Sequence, residues 1–218
     1  MDGHKVERYR ETLLSNKNQI KVTDFGAGSK VFKSNDRSIS SIAKTAGISQ
    51  KRANILVKIV KYFNLNNVLE IGTSLGIATA AMSYGNTNSK IITLEGCEQT
   101  AIIAEEHFGK FQLNNIELIL GEFKNTLTAV LKNSSFDLIF FDGNHQKEAT
   151  IEYFEQCLKT KRNETMYIFD DIHWNREMEE AWKYILNHKE VTISIDTYQW
   201  GIVFFRREQP KEHYIIRV

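Results

Sequence analysis

From residue 67 onward the chain alternates short apolar runs with stretches of helical period. The apolar runs fall at residues 68–71, 91–95, 116–120, 136–141, 166–169, 191–195 and 202–205. Near-continuous apolarity predicts strands covered on both faces, as in a parallel sheet flanked by helices. Helical patterns at 75–84, 98–111, 123–131, 147–158 and 174–187 supply the crossovers. The last two runs are joined by Asp196-Thr197-Tyr198-Gln199-Trp200-Gly201, too short for a crossover helix, which predicts an antiparallel C-terminal hairpin. The expected fold is therefore α/β and Rossmann-like, with a seven-stranded, mostly parallel sheet.

The pattern differs before residue 67. A polar helix at 5–15 is followed by a glycine-bearing loop at 24–30 and by helical segments at 40–45 and 49–63. These predict an N-terminal helical cap, residues 1–66, packed on a core formed by residues 67–218. The 24–30 loop lacks phosphate-loop spacing and reads as a mobile lid.

Composition narrows the class. A chain of 218 residues, 42% apolar, fits one α/β domain with a small extension. A formal charge of +1 gives no whole-surface attraction to nucleic acid. Cys97 and Cys157 lack C-x-x-C spacing, the N-terminal residues carry no apolar signal core, and no apolar run nears a membrane span, so a cytoplasmic protein without a membrane partner is expected.

In open parallel sheets ligands sit beyond the carboxyl ends of the strands. The first apolar run ends in Glu70-Ile71-Gly72-Thr73-Ser74-Leu75-Gly76. Its glycines permit a sharp turn and close backbone approach, and the helix that follows offers unpaired N–H groups to a ligand. The spacing is neither G-x-G-x-x-G nor Gly-Lys-Ser/Thr, and Glu70 disfavours pyrophosphate while suiting a ligand with an ammonium group. Glu95 lies where a carboxylate can accept from both ribose hydroxyls, or can serve as a helix N-terminal carboxylate with Gly96 as the turn. Gly121-Glu122 follows the third run; Glu122 is placed either to accept from an adenine amino group or to cap the next helix.

This order of elements resembles the class I S-adenosylmethionine (SAM)-dependent methyltransferases, and Glu-x-Gly-x-x-x-Gly-x-x-Thr is similar to the loop of their catechol and caffeoyl-CoA O-methyltransferase group. The resemblance covers about residues 67–205. It implies SAM as cofactor, with Glu70, Gly72, Thr73, Ser74 and Gly76 at the methionine portion, Glu95 and Gly96 at the ribose, Gly121 and Glu122 near the adenine, and Asp142 also lining the site. One departure is Lys161-Arg162-Asn163-Glu164-Thr165, which stands where the family often has a Pro-Gly-Gly turn.

Asp142 ends the fourth run, and Asp170 and Asp171 end the fifth. Two carboxylates 4 Å apart repel by about 4 kcal/mol at an effective dielectric of 20, so a divalent cation, a raised carboxyl pKa or a substrate ammonium must offset the charge. The metal-dependent branch of the resembled family holds magnesium with acidic residues at these strand ends, which makes Asp142, Asp170 and Asp171 candidate ligands for Mg2+ or another divalent cation. Asp171 occupies a place often held by Asn. Recruiting His145 or His173 would favour a softer metal.

Methyl transfer from a sulfonium depends mainly on positioning, together with a deprotonated acceptor. His145 and Lys147 are the candidate bases; the alternatives are an N-cap and a solvated helix start. Trp174, Tyr198 and Trp200 could line an aromatic acceptor pocket or simply pack. The expected activity is O-methylation of a small hydroxylated acceptor, with metal assistance, in a homodimer. A metal-independent N- or O-methyltransferase is the alternative.

A different class also fits part of the chain. Residues 39–60 read like a helix-turn-helix with Gly47 at the turn, and Lys30, Lys33, Arg37, Lys44, Lys51, Arg52, Lys58 and Lys61 make the region basic. A DNA-binding, ligand-sensing regulator is the rival, although paired helices are more often packing units.

Overall fold

The computed structural model describes residues 2–23, 25–26, 28, 34–132 and 134–217. Ten strands and eight helices occur among them, in the order α1 (Asp2–Ser15), β1 (Gln19–Lys21), β2 (Asp36–Ser38), α2 (Ile39–Thr45), α3 (Gln50–Tyr62), β3 (Asn67–Ile71), α4 (Ile77–Gly85), β4 (Lys90–Glu95), α5 (Glu98–Lys110), β5 (Ile116–Leu120), α6 (Phe123–Leu131), β6 (Leu138–Phe141), α7 (Lys147–Leu158), β7 (Met166–Asp170), α8 (Arg176–Asn187), β8 (Ile193–Asp196), β9 (Trp200–Phe204) and β10 (Glu212–Ile215). The main sheet is eight-stranded, in the order β10-β8-β9-β7-β6-β3-β4-β5.

The β3 to β7 strands are parallel, and β9 runs antiparallel to both β7 and β8, as the short Asp196–Gly201 connection requires. The seven expected strands are joined at the edge by β10, which pairs parallel to β8. All four residues of β10 are exposed, so no apolar run marks it in the sequence. A small β1–β2 antiparallel ribbon is likewise unannounced by pattern.

Alternate strand residues feed two cores. Val68, Phe140, Ile168 and Ile202 face the layer formed with α1 to α4, whereas Leu69, Ile139, Tyr167 and Val203 face the helices α6 to α8. Every residue of α4 is buried, because the sheet lies on one side of it and α1 and α3 on the other. Gly85 permits that contact, since a Cβ there would lie 2.7 Å from the Cβ of Val60. Val6, Tyr9 and Leu13 of α1 belong to the same core as Val68 and Ile91, so the N-terminal helices pack directly on the sheet layer.

Local capping explains the helix starts. Ser38 accepts from the Ser41 amide at the start of α2, Ser49 from Arg52 at α3, and Asn175 from Met178 at α8. No helix among the described residues is long and apolar enough to cross a membrane.

Candidate active site

The chain adds β4 and β5 on one side of β3, then β6 and β7 on the other, which puts a topological switch point between β3 and β6. The Asp142 amide donates to the Ile71 carbonyl (2.9 Å), so the loops after β3 and β6 meet. Gly72, with φ +106°, makes this approach: a Cβ there would lie 2.3 Å from the Asp142 carbonyl oxygen. A cavity of about 480 Å3 opens at this junction, within the usual range for a small-molecule site.

Gly72, Ser74, Glu95, Gly96, Glu122, Asp142 and His145 all line the cavity. Glu95 accepts from the Ser74 amide (2.7 Å) and the Cys97 amide (2.8 Å), which fixes it between the first two loops. Burial raises its carboxyl pKa against those hydrogen bonds. Glu122 precedes α6 without a side-chain cap bond and faces the cavity. Gly121, with φ +149°, shapes that turn without lining the space.

Glu70 lies deeper than its place in the motif suggests. It is fully buried beneath the loop, where its Oε2 accepts from the hydroxyls of Thr79 (2.5 Å) and Thr93 (2.6 Å), and its Oε1 has no partner. Burial pushes its pKa up to about 8. Thr73 is buried too, its hydroxyl 2.5 Å from that of Thr93. Gly76, with φ +75°, begins α4, and a Cβ there would meet Phe108 and the Tyr9 hydroxyl. Thus Glu70, Thr73 and Gly76 build the cradle from below, while Gly72 and Ser74 face the cavity.

The acidic rim is organised around a guanidinium. Arg52, from α3, donates through Nη1 to both carboxylate oxygens of Asp170 (2.9 and 3.3 Å), and Asp170 is almost wholly buried. The Asp171 amide donates to Asp170 Oδ1 (2.9 Å). Burial and the charges of Asp170 and Asp171 hold the Asp142 carboxyl well above its ordinary pKa. The repulsion expected at this rim is met at Asp170 by the Arg52 guanidinium. Among the described residues no group of three or more His, Cys, Asp or Glu is arranged to hold a metal. Both oxygens of Asp170 are taken up by Arg52, so this carboxylate as placed does not offer them to a divalent cation.

The two candidate bases part company. His145 lines the cavity with its Nε2 3.7 Å from Asp142 Oδ1. Lys147 turns to α8 and pairs with Glu180 at 2.7 Å, which raises its pKa, and it does not line the cavity. His173 contacts Asp196 (2.9 Å) and stacks on Tyr198. Trp200 is buried against Phe140, and none of Trp174, Tyr198 and Trp200 lines the cavity.

Sequence reasoning missed Phe25, Asn144 and Tyr153 in the cavity wall. Phe25 covers Gly96, where a Cβ would lie 2.9 Å from its ring. Asn144 donates to the Tyr153 hydroxyl (3.3 Å). Ser74, Asn144, His145 and Asp171 all have positive φ, so strained backbone gathers at these strand ends. Of the 24–30 lid loop, Asp24, Ala27, Ser29 and Lys30 lie outside the described residues, as does Lys33 of the basic region. Lys44, Lys51, Lys58 and Lys61 are exposed, but Arg52, which opens the helix read as DNA-facing, is turned inward to Asp170.

Residues 69–172 match a family described as a methyltransferase domain. Over this stretch the chain resembles a methyltransferase domain. The domain is similar in structure to an O-methyltransferase from Bacillus cereus in complex with SAH, with 25% identity and a TM-score of 0.63, covering 73% of this chain and 82% of that one. The SAH-bound methyltransferase PaMTH1 of Podospora anserina gives a TM-score of 0.67 at 16% identity, covering 93% and 96%. The O-methyltransferase TomG of Streptomyces achromogenes, in complex with SAM, gives 0.64 at 18% identity, covering 73% and 81%. The latter two likenesses show the fold alone. A search of the curated proteins finds no match to this chain.

Proposed function

We propose that the protein transfers the methyl group of SAM to the oxygen of a small hydroxylated acceptor, without a divalent metal. The observation that carries this reading is the junction of Gly72, Ser74 and Glu95 with Asp142 and His145 around one cavity. At Gly72 and Gly96, where a Cβ would collide with Asp142 or Phe25, the missing side chain lets the walls of the cavity close on one another. In this reading Gly72 and Ser74 flank the methionine portion, Glu95 accepts from the ribose, and Glu122, Phe25 and Phe123 surround the adenine. The solved relatives named with SAM or SAH support that occupant.

The bound sulfonium supplies an electrophilic methyl group. The chain positions the acceptor oxygen in line, an effect worth roughly 7 to 11 kcal/mol when orientation is good. His145 takes the acceptor proton as the O–C bond forms and the S–C bond breaks, so a methylated acceptor, SAH and a protonated imidazole result. The Asp142 carboxyl lies 3.7 Å from its Nε2. Ile42 and Ala46, in and just after α2, form part of the wall of the cavity.

Calorimetry with SAM tests the first claim: saturable binding to the wild type that is absent from Gly72→Val is expected, and a folded wild type that binds no SAM overturns it. Activity on an acceptor found with labelled SAM should survive a chelator. Loss that added magnesium restores would reject the metal-free form.

A further inference from the structure

We propose that the edge strand β10 is a self-association surface, on which β10 of a second copy of this chain pairs antiparallel about a two-fold axis and joins two sheets into one. Tyr214, Ile215 and Ile216 are three consecutive large apolar residues at the rim of the sheet, 45%, 65% and 45% exposed, and no proline or lysine between 212 and 216 blunts the edge. The strand is firmly held. The Glu212 and Ile216 amides donate to the Thr192 and Asp196 carbonyls (2.8 Å each), the His213 ring lies 2.8 Å from the Ser194 hydroxyl, and Lys211 donates to the His188 carbonyl. Even-numbered residues thus turn their main chain toward β8, and the two-residue period of a strand aims the amides and carbonyls of His213 and Ile215 away from the sheet.

What fits such a row is another strand, since an extended backbone presents donors and acceptors at the same spacing. The topology selects a second β10. The sheet has two edges, β10 and β5; pairing β10 with β5 of the next copy would repeat without end, whereas pairing β10 with itself closes at two chains. Centred on Tyr214, the antiparallel pair sets His213 of each copy opposite Ile215 of the other, so that every outward amide and carbonyl of those residues is used. The side chains agree with this register. Residues paired across strands share a face, so Tyr214 lines up with Ile195 and Ile202, and Glu212 with Ile193 and Phe204. At this corner α3 has ended: Phe63 packs on Phe204, with ring centroids 6.2 Å apart, and Tyr62 beside it is 83% exposed. Tyr214 and Ile216 extend that apolar surface to the sheet edge, and a second β10 continues it across the two-fold axis, Tyr214 against Tyr214. Three strands, β8, β9 and β7, separate β10 from β6 and the cavity, so the proposal stands apart from the methyltransferase reading.

Light scattering on the full chain as it leaves a size-exclusion column, at micromolar concentration and without SAM, tests the proposal. The wild type should show twice the 25.2 kDa chain mass. Ile215→Pro removes an outward amide and spares those bonded to β8, so it should keep the circular dichroism of the wild type and show the single-chain mass. Under mild oxidation Tyr214→Cys should form a disulfide-linked dimer, because directly opposed residues of a non-hydrogen-bonded pair have Cα atoms about 4.5 Å apart. Ile216→Cys, set opposite Glu212, should not cross-link, nor should the wild type, whose Cys97 and Cys157 are buried. A wild type at the single-chain mass overturns the proposal, and so do open-ended assemblies larger than a dimer. A dimer that persists in folded Ile215→Pro, or that Tyr214→Cys fails to cross-link, shows association through another surface and overturns it too. Should Ile215→Pro fail to fold, the wild-type mass and the two cysteine variants decide.

Discussion

The Tyr9 phenol donates a 2.9 Å hydrogen bond to the Leu75 carbonyl, joining the first helix of the chain to the loop that forms the cofactor cradle. Its ring is fully buried against His107, Phe108 and Phe111. Tyr9→Phe should cost about 1 to 2 kcal/mol, since it leaves a buried carbonyl unpaired while keeping the ring. Tyr9→Ala should cost about 3 to 5 kcal/mol through the cavity it opens. Urea denaturation of both variants checks the order; equal losses would mean that the hydroxyl contributes little.

Arg52→Ala leaves the buried Asp170 carboxylate without its ion partner, which typically costs about 3 to 5 kcal/mol. Adding Asp170→Asn should recover a large part of that loss, because the uncompensated charge goes with it. A double-mutant cycle in denaturant measures the coupling, and additive losses would show that the two side chains do not interact.

Glu70 gives stability a pH dependence of its own. The unfolded carboxyl ionises near 4.5, whereas burial holds the folded one protonated to about 8. The stability tied to the proton is therefore complete below pH 4.5, declines as pH rises toward 8, and then levels off, a change of about 3 kcal/mol by pH 7. Glu70→Gln retains an acceptor for Thr79 and Thr93 and should remove this slope. Comparing urea midpoints of wild type and variant across that range is the check; parallel curves would place the ionisation elsewhere.

The bases separate by kinetics. His145→Ala should lower kcat by roughly 10² to 10⁴, the usual contribution of a positioned general base. Lys147→Ala should leave kcat within about twofold and change stability by under about 0.5 kcal/mol, because its partner Glu180 lies on the solvent-facing side. A pH–rate profile on an identified acceptor distinguishes the two, and the reverse ranking would move the base to Lys147.

The crossover pattern was legible because β3, β6 and β7 are covered on both faces, so their residues had to be apolar almost without interruption. The edge strand β10 was not, since Glu212, His213, Tyr214 and Ile215 are all exposed and no burial constrains them. The glycine loop announced a cradle through Gly72, yet could not show that Glu70 lies beneath it with two threonine hydroxyls for company. Arg52 was hidden for a different reason. A cation at the start of a polar helix looks solvated until the fold brings it to an aspartate 118 residues away, although three carboxyls at adjacent strand ends did imply that something, a cation or a raised carboxyl pKa, must offset their charge.

Because Val6, Tyr9 and Leu13 share one continuous core with Val68 and Ile91, the helical segment behind the site is masonry and not a door. Swinging it aside would carry fully buried side chains into water. What sorts one occupant of the cavity from another must then come from the side chains that line it, Phe25, Phe123 and Tyr153 among them.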